Sequence, residues 1–256
     1  MSALKLNYQI TGEGKPLVII HGLFGMLQNW GAQTKALSEE YQVITVDLRN
    51  HGRSPHSDDV SYPAMAADVR QLIADLGFEK VDLLGHSMGG KVAMQLACEP
   101  DTPIERLILA DIAPVDYPNH HSDVFAGLQA VDLATLKSRG EADKIMAEHI
   151  DDASVRAFLL TNLYKNEGQF AWRINLKALV EHYDEISCAP AMQQPYEGPT
   201  LFIKGGDSHY ILPKYQDAVL KWFPNAGYKV MPNVGHWLHA EKPDLFTSLV
   251  RRFLQG

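Results

Sequence analysis

Short apolar runs alternate with stretches of helical periodicity over most of this chain, and this alternation limits the folds open to it. The apolar runs, each compatible with a buried strand, lie at 4–8, 17–20, 43–46, 81–84, 107–110, 201–203 and 228–230. The helical stretches lie between them, notably at 62–75, 89–98, 213–222 and 242–254. Strand and helix in alternation predict an α/β fold built on a mostly parallel sheet.

The alternation stops between residues 116 and 195, where several helical patterns, such as 132–150 and 154–163, occur without a convincing strand. A segment of this length is too long for a structureless loop in a compact domain. We interpret it as a helical cap, inserted between two sheet strands over the edge where α/β sheets bind ligands. An ordinary pair of crossover helices is the alternative. The predicted domains are a core of 1–115 and 196–256 and a cap of 116–195.

The stretch Gly85-His86-Ser87-Met88-Gly89 has the form of a nucleophile elbow. An apolar strand-like run precedes it and a helical pattern follows it, so Ser87 would occupy a tight strand-to-helix turn. Glycines two positions to either side remove the Cβ atoms that such a turn cannot accommodate. The pattern predicts that Ser87 is a nucleophile at the end of a helix whose free N–H groups face the site.

A serine hydroxyl is a weak nucleophile and needs a base, for which eleven histidines compete. We predict His236, because it follows the last apolar run in a glycine-containing loop that returns to the edge carrying Ser87. A carboxylate must orient that histidine. Asp111 and Asp207 both follow predicted strands, and both fit the chain order serine, acid, histidine. The residues alone leave the choice between these two aspartates open.

An oxyanion hole needs two N–H donors that point at the tetrahedral oxygen. One predicted donor is the backbone amide of Met88, directly after the nucleophile. The other lies in His21-Gly22-Leu23-Phe24-Gly25, a glycine-containing loop after an early strand. The amide of Leu23 is our first choice there, and that of Phe24 is the second.

Composition excludes several classes of function. The formal net charge of −8 and the pI near 5.7 argue against a nucleic-acid partner. No apolar run approaches the ~18 residues of a membrane span, and the N-terminal residues lack the apolar core of a signal peptide, so we expect a cytoplasmic protein. Cys98 and Cys188 form neither a disulfide framework nor a metal cluster. No cofactor or metal site is expected, and the oligomeric state is left open.

Four motifs carry a family resemblance: Val18-Ile19-Ile20-His21-Gly22, Asp47-Leu48-Arg49-Asn50-His51-Gly52-Arg53-Ser54, Gly85-His86-Ser87-Met88-Gly89-Gly90 and Gly235-His236. Together they resemble the α/β-hydrolase superfamily over essentially the whole chain. With Asp111-Ile112-Ala113-Pro114-Val115 and Glu241-Lys242-Pro243, the chain is most similar to the bacterial YbfF-type esterases. The resemblance implies hydrolysis of esters and acyl-CoA thioesters by a serine triad under a small helical lid.

The resemblance also ranks the acids. In this group the triad aspartate lies in the Asp-Ile-Ala-Pro motif, which corresponds to Asp111. Relatives tend to have asparagine in the Gly-Gly-x-Ser segment, so Asp207 is a departure that keeps it as an alternative acid.

The predicted function is hydrolysis of a small-molecule ester or acyl thioester. Carbon–carbon bond hydrolases and cofactor-free perhydrolases use the same triad and are alternatives, and a non-catalytic ligand receptor is a remote one. The aromatic residues Phe125, Phe158 and Trp172 are candidates for an apolar acyl pocket. The basic residues Lys91, Arg173 and Lys204 are candidates for contact with a CoA phosphate, although surface solubility explains them equally well.

Overall fold

The computed structural model describes residues 3–256 and contains nine strands. They are β1 (Tyr8–Thr11), β2 (Lys15–Ile20), β3 (Tyr41–Val46), β4 (Val81–His86), β5 (Ile104–Ala110), β6 (Leu163–Asn166), β7 (Gln169–Trp172), β8 (Thr200–Gly205) and β9 (Ala226–Met231). Seven of them form one sheet in the order β1-β3-β2-β4-β5-β8-β9. Only β1 runs antiparallel to its neighbour in this sheet, so the predicted α/β fold with a mostly parallel sheet is confirmed.

Eleven α-helices are present within the described residues. They are α1 (Gly31–Leu37), α2 (Tyr62–Asp75), α3 (Met88–Ala97), α4 (Ser122–Ala130), α5 (Arg139–Met146), α6 (Ala153–Leu160), α7 (Leu176–Glu181), α8 (Tyr183–Ser187), α9 (Gln216–Trp222), α10 (Leu238–Glu241) and α11 (Pro243–Gln255). Two short 3₁₀ helices occupy Leu27–Trp30 and Pro213–Tyr215. In residues 3–256, none of the helices combines the length and the apolar character needed to cross a membrane.

The sheet is covered by helices on both faces, which explains why its central strands are apolar throughout. Along β2, Leu17 and Ile19 belong to one buried cluster, to which α1 and α11 contribute. The alternate residues Val18 and Ile20 belong to the other, which contains residues of α2, α3 and α9. Successive side chains of a strand point to opposite faces, so a strand between two helical layers has no polar side.

Helix α2 begins and ends where the sequence predicts. Pro63 lies in its first turn, where the missing N–H costs nothing and the fixed φ suits a helix. At the other end, Gly77 has φ +77°, and the amide of Phe78 donates to the Ile73 carbonyl at 3.1 Å. A left-handed glycine with this hydrogen bond is the usual way to end a helix.

The segment between β5 and β8 differs from the sequence prediction in two respects. It contains helices α4 to α8, but only 139–146 of the expected 132–150 stretch is α-helical. It also contains an antiparallel hairpin of β6 and β7, which sequence reasoning missed. Glu167 and Gly168 join these strands with φ values of +49° and +90°, as a tight hairpin turn requires. The strands have four residues each, too short for a periodic signal.

The first strand also lies later than predicted, at Tyr8–Thr11 instead of 4–8. Its position is set by antiparallel pairing with β3, in which Tyr8 lies opposite Val46 and Thr11 opposite Val43. Leu6 is buried in the core without being part of the sheet, and this burial explains the apolar run before the strand.

The segment leaves the sheet and returns to it at neighbouring points beside α3. The amide of Tyr117 donates to the Ser187 carbonyl at 3.0 Å, and the amide of Ala189 donates to the Asp116 carboxylate at 2.6 Å. From α3, the Lys91 ammonium donates to the carbonyls of Ser187 and Cys188 at 2.8 and 2.5 Å. These bonds tie both ends of the segment to each other and to the helix that follows Ser87. The division into a core and a cap of 116–195 stays a prediction.

Candidate active site

Ser87 lies in a strained turn between β4 and α3. Its φ of +53° and ψ of −122° are unusual for a residue with a side chain, and strain of this kind collects at functional sites. The turn is packed too closely for a side chain at either glycine. A Cβ atom at Gly85 would overlap the Gly89 carbonyl, and one at Gly89 would overlap the His21 carbonyl. The Ser87 carbonyl accepts the amides of Gly90 and Lys91, so the first turn of α3 holds the strained residue in place.

His236 lies in the loop after β9 and points its ring at Ser87. Its Nε2 is 3.0 Å from Ser87 Oγ, and its Nδ1 is 2.8 Å from Asp111 Oδ2. The ring of Tyr210 stacks on the imidazole, with centroids 4.0 Å apart. On the backbone side, His86 Nε2 donates to the His236 carbonyl at 2.9 Å. The imidazole is therefore held between a hydroxyl, a carboxylate and an aromatic face.

Asp111 follows β5 directly and is fully buried. Its carboxylate accepts three hydrogen bonds, from His236 Nδ1, from the amide of Gly205 at 3.0 Å and from the hydroxyl of Ser208. A buried carboxylate needs such donors because it has lost its water. The structure thus brings Ser87, His236 and Asp111 together.

Asp207 is not part of this arrangement. Its side chain is exposed, and its backbone amide donates to the Val234 carbonyl at 2.9 Å. The imidazole nitrogen that could have met it is bonded to Asp111 instead.

Sequence reasoning missed Ser208, Gly205, Tyr210 and Tyr117. The first two donate to Asp111, and Tyr210 stacks on His236. The hydroxyl of Tyr117 donates to the Tyr210 carbonyl at 2.5 Å. Ser208 had a sequence signal, because it lies in the same Gly-Gly-Asp-Ser segment as Asp207. The two tyrosines are separated by almost a hundred positions, and only the fold shows that they meet.

The loop that contains Leu23 is held by buried polar groups. The amide of Phe24 donates to His51 Nε2 at 3.2 Å, and its carbonyl accepts from Asn162 Nδ2 at 2.8 Å. The second-choice oxyanion donor is thereby occupied. Within residues 3–256, the amides of Leu23 and Met88 make no hydrogen bond to another protein group, and both residues line a cavity with Ser87.

Two buried histidines support this loop in their neutral form. Burial lowers the pKa of His21 to about 4 and that of His51 to about 3. His21 Nε2 accepts the amide of Leu48 at 3.0 Å, and a ring nitrogen can accept only when it carries no proton.

Two cavities open at Ser87. The larger, of about 260 Å³, is bounded by His236, Trp237, Trp30 and His86 on the sheet side, and by residues of 116–195, including Val124, Val155, Phe158 and Leu159, on the other. The smaller, of about 30 Å³, lies between Ser87, Met88 and Lys91. Of the three aromatic residues expected at an acyl pocket, only Phe158 lines either cavity. Phe125 packs on Phe24 in the core, and Trp172 lies elsewhere.

The three basic residues considered for a CoA phosphate are occupied by internal contacts. Lys91 is buried, and burial lowers its pKa to about 7. Lys204 Nζ donates to the carbonyls of Gly205, Gly206 and Ser208. Arg173 lies over the ring of Tyr164, 4.4 Å from its centroid. That interpretation of these residues finds no support. Among residues 3–256, no three His, Cys, Asp or Glu side chains are arranged to hold a metal ion.

Comparison with known proteins defines the class. The family described as alpha/beta hydrolase fold matches residues 15–243. The chain therefore belongs to the α/β-hydrolase family, as its motifs and sheet order indicate.

Its relatives narrow that class. The chain is 43% identical to the sn-1-specific diacylglycerol lipase ABHD11 of Mus musculus, covering 98% of this chain and 85% of that protein. It is 39% identical to Esterase YbfF of Escherichia coli (strain K12), covering 98% and 99%. A solved structure of a marine microorganism esterase superposes with a TM-score of 0.95 at 38% identity, covering 98% of this chain and all of that one. The chain is thus a hydrolase of the esterase and lipase type.

Proposed function

We propose that the chain hydrolyses carboxylic esters or acyl thioesters through a covalent acyl-enzyme on Ser87. The observation that carries the proposal is the 3.0 Å separation of Ser87 Oγ and His236 Nε2, continued by 2.8 Å from Nδ1 to Asp111. Both distances are within hydrogen-bond reach, as proton transfer from a serine nucleophile requires.

The first half-reaction transfers the acyl group. His236 takes the Ser87 proton while Oγ forms a bond to the substrate carbonyl carbon. The amides of Leu23 and Met88 donate to the resulting oxyanion. The tetrahedral intermediate then breaks its bond to the leaving oxygen or sulfur, which receives the proton from Nε2 and departs as an alcohol or thiol.

In the second half-reaction water replaces the alcohol. His236 takes a proton from water, whose oxygen attacks the acyl carbon. The bond between that carbon and Ser87 Oγ then breaks, and His236 returns the proton to Oγ. The products are a carboxylic acid and the free enzyme. Asp111 keeps the Nδ1 proton in place and stabilises the imidazolium in both halves. The segment 116–195, which lines the larger cavity opposite the sheet, serves as the cap that encloses the substrate.

Mutation of Ser87 and reactive labelling test this proposal together. Purified Ser87→Ala should lose nearly all hydrolysis of p-nitrophenyl acetate and should no longer be labelled by a fluorophosphonate. Ser154→Ala, a change of an exposed serine outside the site, should keep both. Wild-type turnover by Ser87→Ala would disprove the acyl-enzyme.

Assays of the wild-type enzyme with three further substrates compare its rates of hydrolysis of ester, acylglycerol and thioester bonds. The substrates are an alkyl ester, a diacylglycerol and an acyl-CoA. The diacylglycerol is included because of the name of the mouse relative. A vinylogous diketone tests carbon–carbon bond hydrolysis, the alternative that the same triad would allow.

A further inference from the structure

The two cavities at Ser87 differ in their relation to His236. His236 and Trp237 line the larger cavity and are not among the residues of the smaller one. The smaller cavity is lined instead by Met88, whose amide is one of the two proposed oxyanion donors, and by Lys91. The base His236 therefore borders one cavity, and Met88, the residue after the nucleophile, borders the other.

This difference indicates which cavity holds the alcohol half of an ester and which holds the acyl half. The imidazole Nε2 that receives the Ser87 proton must deliver it to the leaving oxygen, so the alcohol half lies on the side of His236. The acyl half extends from the same carbonyl carbon on the other side. The larger cavity then holds the alcohol, and the smaller one holds the acyl chain.

The sizes of the cavities differ by almost a factor of nine, about 260 against about 30 Å³. A space of the smaller size admits roughly two or three carbon atoms, because a single water already needs about 10–15 Å³ on this measure. Most of the lining surface of the larger cavity is apolar, and it includes Trp30, Val155 and Phe158.

The walls of the smaller cavity are fixed by hydrogen bonds. The hydroxyl of Tyr62 donates to the Ile186 carbonyl, and the Lys91 ammonium donates to those of Ser187 and Cys188. The hydroxyl of Tyr183 is hydrogen-bonded to His121 Nδ1 at 2.6 Å. Enlarging the cavity would break these hydrogen bonds, and any buried group left unpaired would destabilise the fold.

We propose that this enzyme selects esters in which a short acyl group of about two to four carbons is joined to a larger apolar alcohol. The inference rests on the proposed acyl-enzyme and adds the class of substrate. Ile186, which is buried and lines the smaller cavity from α8, is the residue that we assign to the control of acyl-chain length.

A pair of isomeric esters tests the assignment with the wild-type enzyme. Octyl acetate and ethyl octanoate have the same atoms and differ only in which half is long. We expect kcat/KM for octyl acetate to be at least about tenfold higher, because the long acyl chain of ethyl octanoate would have to enter a packed space. Equal rates or a preference for ethyl octanoate would overturn the inference and leave the esterase function intact. If the enzyme hydrolysed none of these three esters (octyl acetate, ethyl octanoate and p-nitrophenyl acetate), that result would contradict the proposed function itself.

Substitution of Ile186 tests whether this residue determines acyl-chain length. In Ile186→Ala, the ratio of kcat/KM for p-nitrophenyl octanoate to that for the acetate should rise about tenfold, because the acyl cavity lengthens. Ile150→Ala is the matched control, since Ile150 is equally buried in the same segment and lines neither cavity. Its ratio should not change. Ile186→Val should move the ratio in the same direction by less, and it serves if the alanine variant does not fold. An unchanged ratio in a folded Ile186 variant would refute the role of this residue.

Discussion

The hydroxyl of Ser208 donates to the same oxygen of Asp111 that binds His236 Nδ1. Together with the amide of Gly205 on the other oxygen, it restricts rotation of the carboxylate that binds the imidazole. Ser208 follows β8 and Asp111 follows β5, so two neighbouring parallel strands build the acid side of the site.

Removing the Ser208 hydroxyl should slow turnover. In Ser208→Ala the carboxylate keeps its bonds to Gly205 and His236 but loses a charge-assisted donor, a contribution of about 1.5 kcal/mol or more. We expect kcat for p-nitrophenyl acetate to fall about tenfold, with KM within about twofold, because the hydroxyl does not touch substrate. Steady-state kinetics measure both constants, with Ser154→Ala as the control. A Ser208→Ala enzyme with the wild-type kcat would contradict the positioning role.

The two candidate acids should differ sharply when each is changed to asparagine. Asp111→Asn leaves the shape of the site but removes the charge that stabilises the imidazolium, and it favours the wrong tautomer of His236. We expect kcat to fall by roughly 10⁴. Asp207→Asn alters an exposed side chain outside the hydrogen-bonded set and should stay within about twofold of wild type. Parallel assays decide between them, and a large loss in Asp207→Asn alone would show that the acid is Asp207.

A methyl group at Gly85 should destabilise the elbow. Its Cβ would overlap the Gly89 carbonyl, so Gly85→Ala must displace backbone and should lower the free energy of unfolding by about 1–3 kcal/mol. Gly31→Ala is the matched change, because no atom lies within 4 Å of a Cβ there and φ is −56°. That variant should be as stable as wild type or more stable by about 0.4–1 kcal/mol. Urea unfolding of the two variants measures the contrast, and equal stabilities would be inconsistent with a crowded elbow.

Lys91 should make stability rise with pH near neutrality. Burial lowers its native pKa to about 7 from an ordinary 10.5. Between pH 7 and 9 the unfolded chain therefore binds more protons at this residue than the native chain, and raising the pH favours the native state.

The variant Lys91→Met removes this pH dependence. The stability of wild type minus that of Lys91→Met should increase from pH 6.5 to pH 9 in urea unfolding. Lys177→Met, at a side chain that is 79% exposed, should show no such trend. A difference in stability that shrinks with rising pH would contradict a native pKa of Lys91 below its ordinary 10.5.

Much of the geometry of the candidate site could be predicted from the sequence, because its signals are local or follow from parallel strands. The elbow depends on glycines at fixed spacing, and strands that run parallel end at one edge, where Ser87 and Asp111 both lie. The choice between Asp111 and Asp207 as the acid could not be made from local sequence patterns. Asp111 has φ +51° and points into the protein, whereas Asp207 lies two residues beyond β8 and faces solvent.

Contacts between distant segments account for most of what the sequence could not predict. A lysine at position 91 is read as a surface charge, because only the fold supplies the carbonyls of Ser187 and Cys188 that accept hydrogen bonds from its Nζ. The hairpin of β6 and β7 likewise depends on a short turn and pairing partners, with little periodicity to signal it.

The backbone hydrogen bond between Tyr117 and Ser187 closes the segment between them into a loop whose two ends meet. The two ends of the segment are hydrogen-bonded to each other beside α3, so they lie close together where the chain leaves β5 and where it returns towards β8. The residues between them contribute Val124, Val155, Phe158 and Leu159 to the larger cavity and no strand to the sheet that contains β5 and β8. We therefore expect sequence changes within this segment to alter the cavity at Ser87 while the pairing of β5 with β8 is kept.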